Sequence, residues 1–190
     1  MKKNKMSNFF KNNAKKVLRR IRGDVDFREL IRNGLTVGEN FDMDTRTIID
    51  ASFCWLISIG DNVTFAANVL ILAHDASTKR ILGYTKIGRV DIGNNVFIGA
   101  NTTILPNVVI GNNCIIGAGS VVKNNIPCNC VAVGNPAVVV TSMENYIEKN
   151  KQKMGIRPVY DYSYTINKNV SNEKKEQMKE DLKSGIGYII

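Results

Sequence analysis

An all-β solenoid of triangular coils is the fold class this sequence predicts, on three observations. First, aliphatic or aromatic residues recur every six positions, at Ile59, Phe65 and Ile71, then at Ile92, Ile98, Ile104, Ile110, Ile116 and Val122. This period fits neither a helix nor an alternating strand, and self-similarity at a fixed period is the signature of a repeat architecture. Second, three residues after the anchors stand Asn62, Asn68, His74, Asn95, Asn101, Asn107, Asn113, Gly119 and Asn125, and Gly follows several anchors directly. Gly and Asn tolerate the left-handed backbone of a tight corner. Third, the fourth position after the anchor is small or β-branched: Val63, Val69, Val96, Thr102, Val108, Cys114, Ser120 and Ile126. Anchor and fourth position then both face inward, each hexad is one short strand plus one corner, and three hexads close a coil.

The sixth position of each hexad faces outward and holds Phe97, Thr103, Val109, Ile115 and Val121. Residues eighteen apart, such as Phe97 and Ile115, should stack on one face of the prism. No charged residue occurs from Ile92 to Val122. A membrane span is not expected, because Gly, Asn and Pro interrupt the apolar run and would leave polar groups in lipid. Outward apolar faces are expected instead to pack on neighbouring subunits.

Three segments follow: a basic amphipathic helical extension over 1–34, a β-helix domain over 35–140, and a helical and irregular extension over 141–190. The formal charge of +9 is concentrated near the start, where residues 2–22 hold nine Lys/Arg and no acid. Phe10, Ala14, Val17, Leu18 and Ile21 keep helical spacing there, which suits either an anionic membrane surface or a cap on the open end of the solenoid. Nucleic acid is not expected as a partner, since no recognition motif accompanies the charge. Four cysteines form no disulfide framework, and without a secretory leader the expected compartment is the cytoplasm, with contact at the inner face of the membrane. After the solenoid, a short helix is expected over 141–153, irregular chain over 155–170, and a second helix over 172–184 ended by Gly185.

His74 is the single histidine of the chain and fills a slot held by asparagine in every other hexad but that of Gly119. A buried structural histidine is disfavoured because the slot is a corner. A zinc site is disfavoured because it needs three or four His, Cys or carboxylate ligands, and neither further histidines nor suitably spaced cysteines are present. The remaining reading is a general base: imidazole titrates near pH ~6.5, and a hydroxyl attacks well only when something removes its proton.

The hexads resemble those of the left-handed parallel β-helix acyltransferases, and the expected hand of the coil comes from that resemblance. The chain is most similar to the maltose and galactoside O-acetyltransferase group over roughly residues 35–140. Gly38-Glu39-Asn40-Phe41, Ile59 to His74, the uncharged hexads and Asn135-Pro136-Ala137 carry the likeness. The resemblance implies a homotrimer with His74 deprotonating an acceptor hydroxyl that attacks acetyl-CoA, without a metal. It places Phe97, Ala100 and Ala118 along the cofactor arm, where Gly99 and Gly117 suit the same close approach, and Asp44 and Asp50 among residues that meet sugar hydroxyls. Near the cofactor the chain departs from the pattern, so either phosphate binding has moved onto Lys123 and the loop or cofactor affinity is modest.

His74 is followed by Asp75 rather than the proline frequent in the maltose enzymes, and Lys123-Asn124 replaces a threonine–lysine pair. An off-period insertion, residues 77–91, follows immediately. Its Lys79, Arg80, Lys86 and Arg89 suit phosphates, and Tyr84 suits a sugar ring. The segment His74-Asp75-Ala76-Ser77-Thr78 with this loop is similar to acetyltransferases that decorate capsule or exopolysaccharide sugars. The expected function is therefore acetyl transfer to a sugar hydroxyl. The alternatives are N-acetylation of an amino sugar or antibiotic, and a trimeric scaffold without catalysis.

Overall fold

The computed structural model describes residues 26–44 and 46–190. The chain divides into a unit ending at Met143 and a second from Glu144 to Ile190. In the first, helix α1 (Phe27–Arg32) precedes strands β1 (Thr36–Val37), β2 (Asp42–Met43), β3 (Ile48–Ile49), β4 (Ile57–Ile59), β5 (Thr64–Phe65) and β6 (Leu70–Ile71). An excursion follows, and then β9 (Val90–Ile92), β10 (Val96–Ile98), β11 (Thr103–Ile104), β12 (Val108–Ile110), β13 (Cys114–Ile116), β14 (Val121–Val122) and β15 (Cys130–Gly134). These strands visit three parallel sheets in rotation: β1-β4-β9-β12, β2-β5-β10-β13-β15 and β3-β6-β11-β14. The chain thus climbs a three-sided coil. In the regular part partners are eighteen residues apart, as in Val96↔Cys114 and Thr103↔Val121, which is three hexads per coil.

The inward positions follow the expected pattern. Anchors Ile59 to Val122 are at most 3% exposed, and the fourth positions at most 4%. Packing is close-fitting: a Cβ placed on Gly99 would come within 2.5 Å of the Ala118 amide nitrogen in the next coil, so a side chain there would push the coils apart. Phe97 and Ile115 sit side by side on the outer surface, and Phe97 remains 44% exposed. Cys114 and Cys130 both point inward with sulfurs 3.9 Å apart. Burial and the adjacent Cys114 push the Cys130 thiol up to about 11.

Asparagines build one edge of the prism. Asn40, Asn62, Asn95, Asn113 and Asn129 all adopt left-handed backbone, with φ from 54° to 59°. Their side-chain amides form a ladder across five coils: Asn40 donates to Asn62 (3.0 Å), Asn62 to Asn95 (3.2 Å), Asn95 to Asn113 (3.0 Å) and Asn113 to Asn129 (2.9 Å). Only a side chain that tolerates this backbone and both donates and accepts can serve every rung.

A different edge, from the third sheet to the first, holds all the irregularity in coil length. Across it the partner spacing is 22 residues between β1 and β4, 33 between β4 and β9, 18 between β9 and β12, and 16 at the Ile110–Ile126 bridge. The first coil therefore carries four extra residues there and the second fifteen, while the last is two short. This shortening corrects one expectation. Asn125 is not a left-handed corner; its side chain accepts from the Val109 amide at 2.9 Å, and Asn129 takes the next ladder position.

At one end of the coil, α1 packs Leu30 into the core, and Phe27, Phe41 and Phe65 form an aromatic row with centroids 5.5 and 5.0 Å apart. The basic segment 2–22 lies outside the described residues. At the other end, β16 (Ala137–Ser142) turns back antiparallel on β15. In the second unit, helix α3 (Met143–Met154) matches the expected helix closely. Helix α4 (Asn172–Asp181) stops short of Gly185. Residues 155–170 are not wholly irregular, because β17 (Val159–Tyr160) pairs in parallel with β18 (Tyr188–Ile189). A single pair of two-residue strands outside the hexad repeat leaves no periodic trace in a sequence.

Candidate active site

Two excursions lie on the third-to-first edge in successive coils. The lower begins at Asp50, directly after β3, and runs through a 3-10 turn, Cys54–Leu56. The upper begins at His74, which opens strand β7 (His74–Asp75) and pairs antiparallel with β8 (Lys86–Ile87). A 3-10 turn (Ala76–Thr78), helix α2 (Lys79–Leu82) and Gly83 at φ 78° connect the two strands. His74 is therefore not at a left-handed corner, as its register with the asparagines suggests. It stands in extended chain where the backbone leaves the prism.

Asp50 lies beneath it. The carboxylate is held by the Ser52 amide on Oδ1 (3.0 Å) and the Ala73 amide on Oδ2 (2.9 Å), and Oδ2 also meets His74 Nδ1 in a short hydrogen bond. The Asp50 side chain is 2% exposed, against 32% for His74. A buried carboxylate beside Nδ1 selects the tautomer with its proton there, so Nε2 carries the free lone pair. The ring of Phe53 packs against the imidazole, centroids 5.4 Å apart. This arrangement can accept a proton at a fixed point.

The excursion is tied down at its base. Lys86 bridges Asp75 at 2.5 Å, the Ser77 amide donates to Asp75 at 2.8 Å, and Thr78 Oγ1 donates to the Tyr84 carbonyl at 2.8 Å. Lys86 foremost, then Ser77, holds the Asp75 carboxyl well below the usual range. Arg89 is similarly paired with Asp91 at 2.8 Å. Lys79, Arg80 and Tyr84 are exposed, and with Ile81 and Leu82 they form a part-apolar tip.

The residues singled out from sequence thus separate by edge. His74, Asp50, Lys79, Arg80, Tyr84, Lys86 and, two coils on, Lys123 share the third-to-first edge. Gly99, Ala100, Gly117 and Ala118 stack at the second-to-third edge, with Phe97 on the outer face of the second sheet. Asp44 belongs to the second-to-third edge as well and pairs with Arg46 at 3.3 Å. The Arg46 amide, then its guanidinium, lowers the Asp44 carboxyl. Asp50, expected among the sugar-binding residues, instead faces inward beneath the imidazole. Phe53 escaped sequence reasoning; the one trace of it was the excess length between Ile49 and Ile59. Among the described residues no group of three His, Cys, Asp or Glu is placed to hold a metal, and no helix is long and apolar enough to cross a membrane.

Residues 89–124 match the bacterial transferase hexapeptide (six repeats) family. Protein CapG of Staphylococcus aureus is 42% identical over 125 residues, covering 64% of this chain and 67% of that protein. The chain belongs to the hexapeptide-repeat transferases. Among solved structures, a maltose O-acetyltransferase from Clostridium difficile 630 aligns with TM-score 0.51 and 32% identity, over 67% of this chain and 83% of that one. The chain is an acyltransferase. A galactoside acetyltransferase in complex with coenzyme A aligns with TM-score 0.50 and 29% identity, over 63% and 70%. In this hexapeptide transferase the family match begins where the coil resumes after the excursion. It covers the regular coils and stops short of the edge segments that carry His74 and Asp50.

Proposed function

We propose that this chain is an acetyl-CoA-dependent O-acetyltransferase of a sugar hydroxyl, working in the cytoplasm in capsule or exopolysaccharide synthesis. The observation that carries the reading is the buried Asp50 carboxylate, fixed by two backbone amides and paired with Nδ1 of a part-exposed His74. His74 Nε2 takes the proton of the acceptor hydroxyl as its oxygen attacks the thioester carbonyl of acetyl-CoA. Asp50 stabilises the imidazolium formed. The tetrahedral intermediate collapses with cleavage of the carbon–sulfur bond, and the imidazolium returns the proton to the departing thiolate. A base of this kind contributes about 10²–10⁴-fold. A backbone N–H supplies the oxyanion donor. The sugar assignment is supported by the maltose and galactoside acetyltransferases to which the chain is similar. The capsule assignment rests on the segment His74 to Thr78 and its loop.

The coil is left-handed, as in the family it resembles, and three copies assemble as a homotrimer. The separation of residues by edge supports this assembly. The small-residue edge at Gly99, Ala100, Gly117 and Ala118, with Phe97, suits a pantetheine arm, whereas His74 stands on another edge of the same prism. A site that uses both takes one edge from each of two chains.

His74→Ala tests the base. CoA release with a sugar acceptor falls by about 10²–10⁴-fold while the melting transition is kept. Undiminished release defeats the catalytic reading, and transfer to amines but not hydroxyls replaces O- by N-acetylation.

A further inference from the structure

Trp55 is the sole tryptophan of the chain and is 57% exposed. Burial is the usual fate of so large an apolar ring, and here the local structure holds it out. It sits in the 3-10 turn Cys54–Leu56, inside the four residues added to the first coil, directly beneath the His74 excursion. That turn is anchored from behind: the buried Cys54 thiol donates to the carbonyls of Leu30 (3.5 Å) and Asn33 (3.6 Å) at the end of α1. Gly34, at φ 104°, clears the space, since a Cβ there would lie 2.9 Å from Trp55 Cβ. Phe53 fills the gap between Trp55 and His74, with centroids 5.6 Å from the indole and 5.4 Å from the imidazole. An aromatic row thus runs from the base outward and ends in an indole open to solvent.

We propose that Trp55 is the platform on which the acceptor's pyranose ring lies, with Phe53 as the wall that sets its distance from His74. This rests on the sugar O-acetyltransferase reading above. One face of a pyranose presents axial C–H groups, weakly positive, and the face of an indole carries the negative lobe of its quadrupole. A ring seated there turns one hydroxyl towards Nε2 while the indole supplies area without demanding a hydrogen bond, so the platform favours ring sugars over small linear acceptors. It also explains why extra chain was placed on this edge in the first coil as well as the second: one excursion carries the base, the other the surface that aims the acceptor at it.

A single tryptophan makes the test direct. The probes are methyl α- and β-pyranosides of glucose, galactose, N-acetylglucosamine and N-acetylmannosamine, with L-serine and ethanolamine as linear controls. Indole fluorescence of the intact His74→Ala protein is titrated with each, so that binding is read without turnover. The expected result is a saturable emission shift with those pyranosides that the unsubstituted enzyme acetylates, and none with the controls. In steady-state kinetics Trp55→Ala raises the KM for that sugar about tenfold or more, leaves the KM for acetyl-CoA unchanged and alters kcat by less than about twofold, while Trp55→Phe recovers part of the loss. Turnover of a pyranoside with unmoved fluorescence and unmoved KM overturns the platform and leaves the sugar reading intact. An indole already blue-shifted and shielded from acrylamide before sugar is added also overturns it, because a second copy then covers the ring. Acetylation of the linear controls alone, or of no probe, defeats the sugar reading and takes the platform with it.

Discussion

Asp50 shows how much one buried carboxylate organises. It accepts from the Ser52 and Ala73 amides and from His74 Nδ1, so three donors converge on two oxygens. Asparagine at this position has one accepting oxygen and an NH2, and at least one donor would face another donor. Asp50→Asn is therefore expected to cost about 1–3 kcal/mol in stability, the usual penalty for a buried polar group left unsatisfied. It also releases the tautomer that leaves Nε2 free, so kcat falls by roughly 10-fold or more while the KM for acetyl-CoA holds. Chemical denaturation with steady-state kinetics reads both effects. A stability loss at full kcat would make Asp50 purely structural.

At the scale of elements, the asparagine ladder and the variable edge divide the work. The ladder keeps the coils in register along one edge, while another edge accepts four or fifteen extra residues without disturbing it. Asn95 occupies a middle rung, accepting from Asn62 and donating to Asn113 at φ 57°. Asn95→Ala loses both bonds and places a Cβ-bearing residue without a polar side chain in left-handed backbone, for a loss of about 2 kcal/mol. Asn95→Gly keeps the backbone freedom and should lose about half as much. Equal melting temperatures for the two variants would show that the backbone conformation contributes nothing.

The whole molecule places His74 on one edge and the small residues proposed to line the cofactor groove on another, and this bears on assembly. His74→Ala and Ala118→Trp are each expected to be nearly inactive alone. Mixed by co-refolding they should regain about a quarter of the activity, because one interface in four pairs an intact His74 with an intact groove. No recovery in verified mixed trimers would place the site within one chain. If segment 2–22, with its nine basic residues, meets an anionic membrane rather than capping the coil, the intact protein adsorbs to phosphatidylserine vesicles at low salt and loses this on deleting residues 2–22. Equal sedimentation of the deleted form would end the membrane assignment. By itself the sequence determined the coil, because a six-residue period with inward anchors has one regular way to bury them: Ile98, Ile104 and Ile110 stand where the period puts them. It also marked His74 by breaking the asparagine pattern. The tertiary structure alone decided what surrounds that histidine. Asp50 and Phe53 precede it by more than twenty residues in chain that keeps no period, and they meet it only because two excursions stack on one edge. A repeat is legible because each hexad obeys the same local rule, whereas the site is built where that rule is suspended and neighbouring coils supply the contacts.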